Sequence, residues 1–337
     1  MSKPDQPIVH VPTQYSSGAI SQVTPTAAKF LKLGIEKAPN TIRAYKADLD
    51  CYTSWCDRLR LSPFPAAAEQ VANYISDLAE HYTVATIQRR LAMLSSFHEL
   101  QGFDSPTSHK LVRTTMDGIK RSKGVRQKQA PAFTLEAFQK VILSLDESVN
   151  GQLRDKVVLL LGFTGAFRRG ELAALNIEDL NFDEEGILID VRRSKTDQLG
   201  EGKLKAIFYA SHPGLCPVRT LQRYLERTSE ESQPPADERL GGPAPGGHPL
   251  LLRMRKGDRF GKQRLTDQTI NLIVAKHFGS RFSAHTLRAS FVTVSRKNGA
   301  STSEIMAQTH HKTEAMIRRY TRFEDARTHN AGTKLGL

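Results

Sequence analysis

The 337-residue chain carries 48 Lys+Arg against 35 Asp+Glu, a formal net charge of +13 with a pI near 9.7. Both halves are net basic, which points to a polyanionic partner, nucleic acid before an anionic membrane surface. A hydrophobic content of 39% supports ordinary cores, and the length suits two domains. No run of about 18 apolar residues is present, so no span of a membrane is expected. The polar N-terminus MSKPDQPIVHVPTQYSSGAISQ lacks the apolar centre of a secretory signal. Cys51, Cys56 and Cys216 are odd in number and fit no zinc or redox spacing, so they read as reduced thiols of a cytoplasmic protein.

A flexible tail is expected over residues 1–25. Helical character begins at Thr24-Pro25-Thr26, where threonine and proline suit a helix start. Asn40 is a suitable N-cap for the next helix, in which Ile42, Tyr45, Leu49, Tyr52 and Trp55 recur at helical spacing. After the break Ser62-Pro63-Phe64-Pro65, helices are expected over 67–80, 83–101 and 108–120, which makes 26–120 an all-helical domain. Residues 121–132, beginning RSKGVRQKQAP, have no apolar period and read as a basic linker that crosses a phosphate backbone. A second domain, 133–319, opens with Thr134 as N-cap and helices over 134–146 and 151–165, with 171–175 continuing helical. The pattern then changes. Gly186–Arg192 and Lys203–Tyr209 are short and β-branched, and the polar turn SKTDQLGEG between them predicts a β-hairpin. A helix over 217–229, a Pro/Gly-rich loop from Gln233 to Pro249 and helices through 266–335 follow. The expected fold is mainly α with one small sheet.

Six side chains, far apart in the chain, suit one reaction. Arg168 stands in GFTGAFRRGELAAL and Lys195 in VRRSKTDQ. His285 and Arg288 lie three apart in SAHTLRASF, on one helix face, and His311 precedes Tyr320 by nine residues in HHKTEAMIRRYTR. Displacement at a phosphodiester builds charge on the non-bridging oxygens. Two guanidiniums can clamp those oxygens with paired hydrogen bonds and never lose their charge. Such a preorganised donor is worth about 3–4 kcal/mol. A phenol, with a pKa of about 10, needs neighbouring cations and an imidazole to act as a nucleophile. A lysine can protonate a poor alkoxide leaving group. Together these groups suit attack by Tyr320 on a DNA phosphodiester without a metal, and the sequence has no P-loop, carboxylate cluster or zinc pattern.

In order and spacing these segments resemble the boxes of the tyrosine recombinase (phage integrase) family, in its compact Cre-like or Xer-like two-domain form, over about residues 26–335. Arg168, with Glu171 three residues later and then Leu172, resembles the first arginine box; the acidic residue fixes this register over the adjacent Arg169. Lys195 falls on the family's hairpin lysine, His285 and Arg288 on its His-x-x-Arg box, and His311 and Tyr320 on its closing box. Two positions depart from the pattern: His310 stands where glycine is frequent, and Ala289 where histidine is common.

The resemblance implies a helical, SAM-like core-binding domain and a mostly α catalytic domain that close on duplex DNA as a C-shaped clamp. It implies a 3′-phosphotyrosine intermediate, a free 5′-hydroxyl and a Holliday junction, with no metal, cofactor or ATP. Arg168 and Arg288 would clamp the phosphate, His285 would relay the phenol proton, Lys195 would act as general acid, His311 would bond a non-bridging oxygen and Glu171 would orient its neighbours. Residues 320–337 would carry the nucleophile and a tail that docks into a neighbouring protomer, giving a tetramer on two short inverted-repeat sites. The bearer would be a bacterium, a phage or a mobile element.

Candidate DNA contacts are Thr86, Gln88, Arg89 and Arg90 in the first domain and Lys120, Arg121, Lys123 and Arg126 around the linker. In the second domain they are Arg259, Lys262, Gln263 and Arg264, ahead of a helix. Two alternatives share this chemistry or fold. A type IB-like topoisomerase or telomere resolvase uses similar groups, but the tail and the length argue against it. A non-catalytic DNA-binding regulator would be expected to have lost a catalytic residue.

Overall fold

The computed structural model describes residues 39–125, 131–191, 202–231, 247–318 and 320–321. The tail 1–25, the helix start at Thr24–Thr26, Arg126, the hairpin turn with Lys195, most of the loop from Gln233 and the C-terminal tail lie outside the described residues. Contacts divide the chain into two compact units, Met1–Lys128 and Gln129–Leu337.

The first unit contains helices α1 (Pro39–Leu59), α2 (Ala68–His81), α3 (Val84–Leu100) and α4 (Lys110–Lys123). Its core is aromatic. Tyr52 and Trp55 of α1 pack on Tyr74 of α2 with ring centroids 5.0 and 5.2 Å apart, and the Trp55 indole donates to Asp77 at 2.7 Å. Thr83 caps α3 by accepting from the Thr86 backbone N–H. The fully buried His98 fixes the proline-rich break: its Nε2 accepts from Ala66 N at 2.9 Å and its Nδ1 donates to Leu94 O at 2.8 Å. Asn40 lies inside α1 rather than before it, and Arg121 and Lys123 belong to the last turn of α4 rather than to a linker.

In the second unit, α5 (Leu135–Leu143), α6 (Asn150–Thr164) and α7 (Arg169–Ala174) precede an antiparallel sheet of β1 (Leu180–Phe182), β2 (Gly186–Asp190) and β3 (Leu204–Phe208), in the order β1-β2-β3. There follow α8 (Pro217–Glu231), the strands β4 (Leu252–Arg255) and β5 (Arg259–Arg264), and helices α9 (Asp267–Phe278), α10 (Ala284–Lys297) and α11 (Thr302–Thr309). Residues 314–318 and 320–321 are again helical. Buried from Asp155 to Phe163, α6 is the axis of this unit: Leu153 and the run Val157–Leu161 are inaccessible or nearly so. Such a helix shows no polar stripe because neighbours cover it on all sides.

Where one small sheet was expected, the described residues form two. The β4–β5 hairpin was hidden by its charge, since Arg253, Arg255, Lys256, Asp258, Arg259 and Lys262 interrupt the apolar alternation. Its tip serves α6. Asp258, in the left-handed region at φ 55, accepts from the backbone N–H groups of Asn150 and Gly151 at 2.7 and 2.8 Å and so caps the first turn of α6.

Gly186 opens β2 opposite Phe208, where a Cβ would stand 2.1 Å from Ile207 O and 2.9 Å from Phe208 Cα. Both obstacles are backbone and cannot rotate away. Gly186→Ala is expected to cost about 3 kcal/mol through overpacking, read as a lower urea midpoint. An unchanged midpoint would contradict the close pairing of β2 with β3.

Candidate active site

Arg168 leads into α7 at the end of a turn that begins where α6 stops. Glu171, one turn into α7, reaches back: its carboxylate accepts from the Arg168 backbone N–H at 2.9 Å and from the Arg168 guanidinium at 2.6 Å. Burial opposes the Glu171 charge, but these two bonds and the charges of Arg168 and Lys205 outweigh it and hold its pKa below the usual carboxylate value. Glu171 therefore fixes the direction of Arg168. The adjacent Arg169 is occupied elsewhere, paired with Asp267 at 2.9 Å.

Arg288, on α10, is 1% exposed. One guanidinium nitrogen donates to Ala166 O at 2.7 Å and another to Thr309 O. Three of its five N–H groups are left for other partners. Burial and then the Arg168 charge lower its pKa to about 10, so it stays a cation at neutral pH.

One turn earlier on α10, His285 Nε2 lies 2.8 Å from the Tyr320 hydroxyl. Tyr320 packs against the small cluster of Val292, Ile305 and Ile317, and Thr293 Oγ1 donates to its backbone carbonyl at 3.4 Å. The His311 ring centroid is 6.0 Å from that of Tyr320. Burial and then Arg288 and Arg168 lower the His285 pKa, which keeps the imidazole neutral and able to accept the phenol proton.

His311 is held by Thr309. The Thr309 hydroxyl donates to Ile305 O at 2.6 Å, so toward His311 it acts as an acceptor, for Nδ1–H at 2.7 Å. Neutral His311 then carries its proton on Nδ1 and a lone pair on Nε2. The preceding His310 sits in the left-handed region at φ 53 and ends α11. A left-handed residue at a helix end is a position that favours glycine, in line with the expected pattern from which His310 departs.

Arg168, Glu171, His285, Arg288, His311 and Tyr320 thus converge in one place, and Lys195 lies outside the described residues. A residue the sequence reading missed joins them. Lys205 on β3 is 1% exposed, and its ammonium donates to Gly165 O at 2.8 Å and to Gln308 O. Burial, and then the Arg288 charge, push its pKa down to about 7. The signal was legible: Lys205 and Ile207 both point inward in the alternation of β3.

The candidate DNA contacts divide. Gln88, Arg259, Lys262 and Gln263 are exposed, with Gln263 accepting from Arg253 at 3.0 Å. Thr86 is half-buried at the start of α3, and Arg89 pairs with Asp48 while staying partly exposed. Lys120 pairs with Asp117 at 2.8 Å, Arg121 is exposed, and Lys123 donates to Ala79 O. Two of the candidates are engaged within the protein. Arg90 is 6% exposed, bonded to Cys51 Sγ and Tyr74 and stacked on Tyr82, because the apolar face of α3 carries it into the core. Arg264 donates to Ala173 O, Leu175 O and Asn176 Oδ1, where it closes the end of α7. No described helix is long and apolar enough to cross a membrane.

Burial followed by the Lys205 charge lowers the His310 pKa to about 4, and burial followed by Arg288 lowers that of His311 to about 3. An unfolded histidine binds its proton near pH 6.5. The unfolded chain therefore takes up protons that the folded chain refuses, and stability present above pH 6.5 is lost as pH falls. The urea midpoint is expected to drop between about pH 6.5 and 4.5, and to drop less in His310→Asn/His311→Asn. An equal drop in that variant would contradict the assignment.

Comparison with known proteins shows the family. Residues 134–327 match the phage integrase family and residues 29–100 the phage integrase N-terminal SAM-like domain. An integrase/recombinase xerD homolog of Selenomonas ruminantium is 33% identical over 298 residues, covering 86% of this chain and 83% of that protein. The tyrosine recombinase XerC of Myxococcus xanthus is 25% identical over 307 residues, covering 84% and 87%. Among solved structures, the XerH site-specific recombinase bound to palindromic difH substrate has a TM-score of 0.56 at 18% identity, covering 80% of this chain and 72% of that one. A lambda integrase dimer bound to a COC′ core site has a TM-score of 0.53 at 15% identity, covering 88% and 93%. At such identities the solved structures speak for the fold alone; the family rests on the matched residues and on the 33% relative. The chain belongs to the phage integrase family, whose members are the tyrosine site-specific recombinases.

Proposed function

We propose that this recombinase cleaves duplex DNA by attack of the Tyr320 hydroxyl on a phosphodiester, forming a 3′-phosphotyrosine and a free 5′-hydroxyl, and reseals by the reverse step. The bond formed is Tyr320 Oη to phosphorus, and the bond broken is phosphorus to the 5′-oxygen. The observation that carries this reading is the 2.8 Å contact between Tyr320 and His285, with Arg168 and Arg288 charges acting on the same imidazole. His285 accepts the phenol proton. Arg168 and the free N–H groups of Arg288 bind the non-bridging oxygens, where charge builds in the transition state. Lys195 protonates the departing 5′-oxygen. His311 donates through Nε2 to a non-bridging oxygen, which requires it to take up a proton as the phosphate arrives, because Thr309 holds its Nδ1–H. Glu171 acts through Arg168 and does not touch substrate.

Every group in this scheme is a side chain of the protein, and the phosphodiester energy is kept in the tyrosyl ester, so religation needs neither metal nor ATP. The two units close on a short inverted-repeat site through phosphate contacts made by exposed bases such as Arg121, Arg259 and Lys262. Two sites are brought together by a tetramer, through the tail after Tyr320 and a Holliday junction. A lambda integrase tetramer solved on a Holliday junction has a TM-score of 0.53 to this chain and supports that assembly.

A duplex selected by the protein from a random-sequence pool, nicked beside the cleavage point, traps the covalent step. Wild type is expected to accumulate a protein–DNA adduct and Tyr320→Phe none at equal DNA affinity; an adduct from Tyr320→Phe would refute the nucleophile. Relaxation of supercoiled DNA lacking a selected site would favour a topoisomerase instead. Replacing Arg259 and Lys262 by alanine is expected to weaken binding across sequences and to lower the salt slope by about one per lost contact. An unchanged slope would remove that face from the DNA interface.

A further inference from the structure

Two helices end face to face beside the site. Carbonyls left open at the C-terminal end of α6 and just beyond it, those of Thr164, Gly165 and Ala166, accept respectively from Gln308 Nε2 at 3.1 Å, Lys205 Nζ at 2.8 Å and an Arg288 nitrogen at 2.7 Å. Two carbonyls at the end of α11, those of Gln308 and Thr309, accept from the same Lys205 and the same Arg288. The Gln308 amide also donates to Ala206 O at 2.9 Å, which ties α11 to β3. Each helix end carries a partial negative charge, so bringing two together is unfavourable unless cations lie between them.

Arg288 is already placed in the cleavage machinery. Lys205 and Gln308 have no such role, yet they bind the same two segments one residue earlier. The segment 164–166 runs directly into Arg168, and the segment 308–309 runs directly into His311. We propose that Lys205 and Gln308 form a positioning clip that fixes the distance between Arg168 and His311. This proposal rests on the cleavage reading of the site and goes beyond it by assigning two residues that do not touch the phosphate. An amine donates two N–H bonds even when neutral, so the clip holds on both sides of the Lys205 titration. Its function is spacing, and its loss would be felt in the rate of bond cleavage rather than in the grip on DNA.

The test compares wild type, Lys205→Met, Lys205→Arg and Gln308→Leu in single-turnover cleavage of the nicked, selected duplex at saturating protein, with affinity and melting measured beside it. Lys205→Met keeps the volume and loses both donors. It is expected to cleave at least about tenfold more slowly, as a misplacement of about 1 Å would cause, with affinity unchanged. Lys205→Arg keeps donors for both carbonyls and is expected to recover part of the rate, whereas a space-filling role predicts Met to be at least as good as Arg. Gln308→Leu, on a half-buried residue, decides the matter if Lys205→Met does not melt cooperatively: a several-fold slower rate at equal affinity supports the clip. Wild-type rates in Lys205→Met, or in Gln308→Leu where that variant decides, would overturn it. Absence of any adduct from wild type would instead sink the cleavage reading, and the clip with it.

Discussion

The catalytic unit depends on two buried cations held between two helix ends. Arg288 and Lys205, each 1% exposed, satisfy carbonyls at the C-termini of α6 and α11. Each end carries roughly half a negative charge, and its open carbonyls accept from buried side chains. Without the cations the two helices could not approach, and the segments that carry Arg168 and His311 would have no reason to meet. Arg288 thus has a structural task beside the one proposed for it in cleavage. Part of its guanidinium secures Ala166 and Thr309, and the remainder is free to meet an anion.

The same layout explains the electrostatic state of the site before DNA arrives. Four cationic or potentially cationic groups, Arg168, Lys205, Arg288 and His310, interact with one acid, Glu171. The pKa values of Lys205, Arg288, His285, His310 and His311 are all lowered, first by burial and then by neighbouring charge. A site with this much uncompensated positive charge favours an anion, which would offset the mutual repulsion of the cations and favour their charged forms. The Tyr320 hydroxyl lies 2.8 Å from His285 Nε2, whose pKa is lowered by burial and then by Arg288 and Arg168.

Much of this was legible in the sequence, and what was not has physical reasons. The boxes around Arg168, His285–Arg288 and His311–Tyr320 name side chains whose chemistry is unambiguous, and the structure brings them together. Helices with a clear apolar stripe, such as α2 and α5, were readable from spacing. The β4–β5 hairpin escaped because charged residues occupy half of its short strands and its tip is tied to the fold by Asp258 capping α6, a contact between residues more than a hundred apart. The burial of Arg90 was not legible, because a basic residue following Arg89 reads as surface until helical phase is considered; α3 turns Arg89 toward Asp48 and solvent and Arg90 into the aromatic core. The bonds of Arg264 were not legible either, because its partners include backbone carbonyls, which leave no mark in a sequence. Lys205 escaped for the same reason, although its inward place in β3 was there to be noticed.

The most direct test of the account is to digest the trapped protein–DNA adduct and map the modified peptide and the linked DNA end by mass spectrometry. The account predicts a single DNA-bearing peptide containing Tyr320, joined through a phosphate to a 3′ end. A modified residue other than Tyr320, or a linkage to a 5′ end, would contradict it.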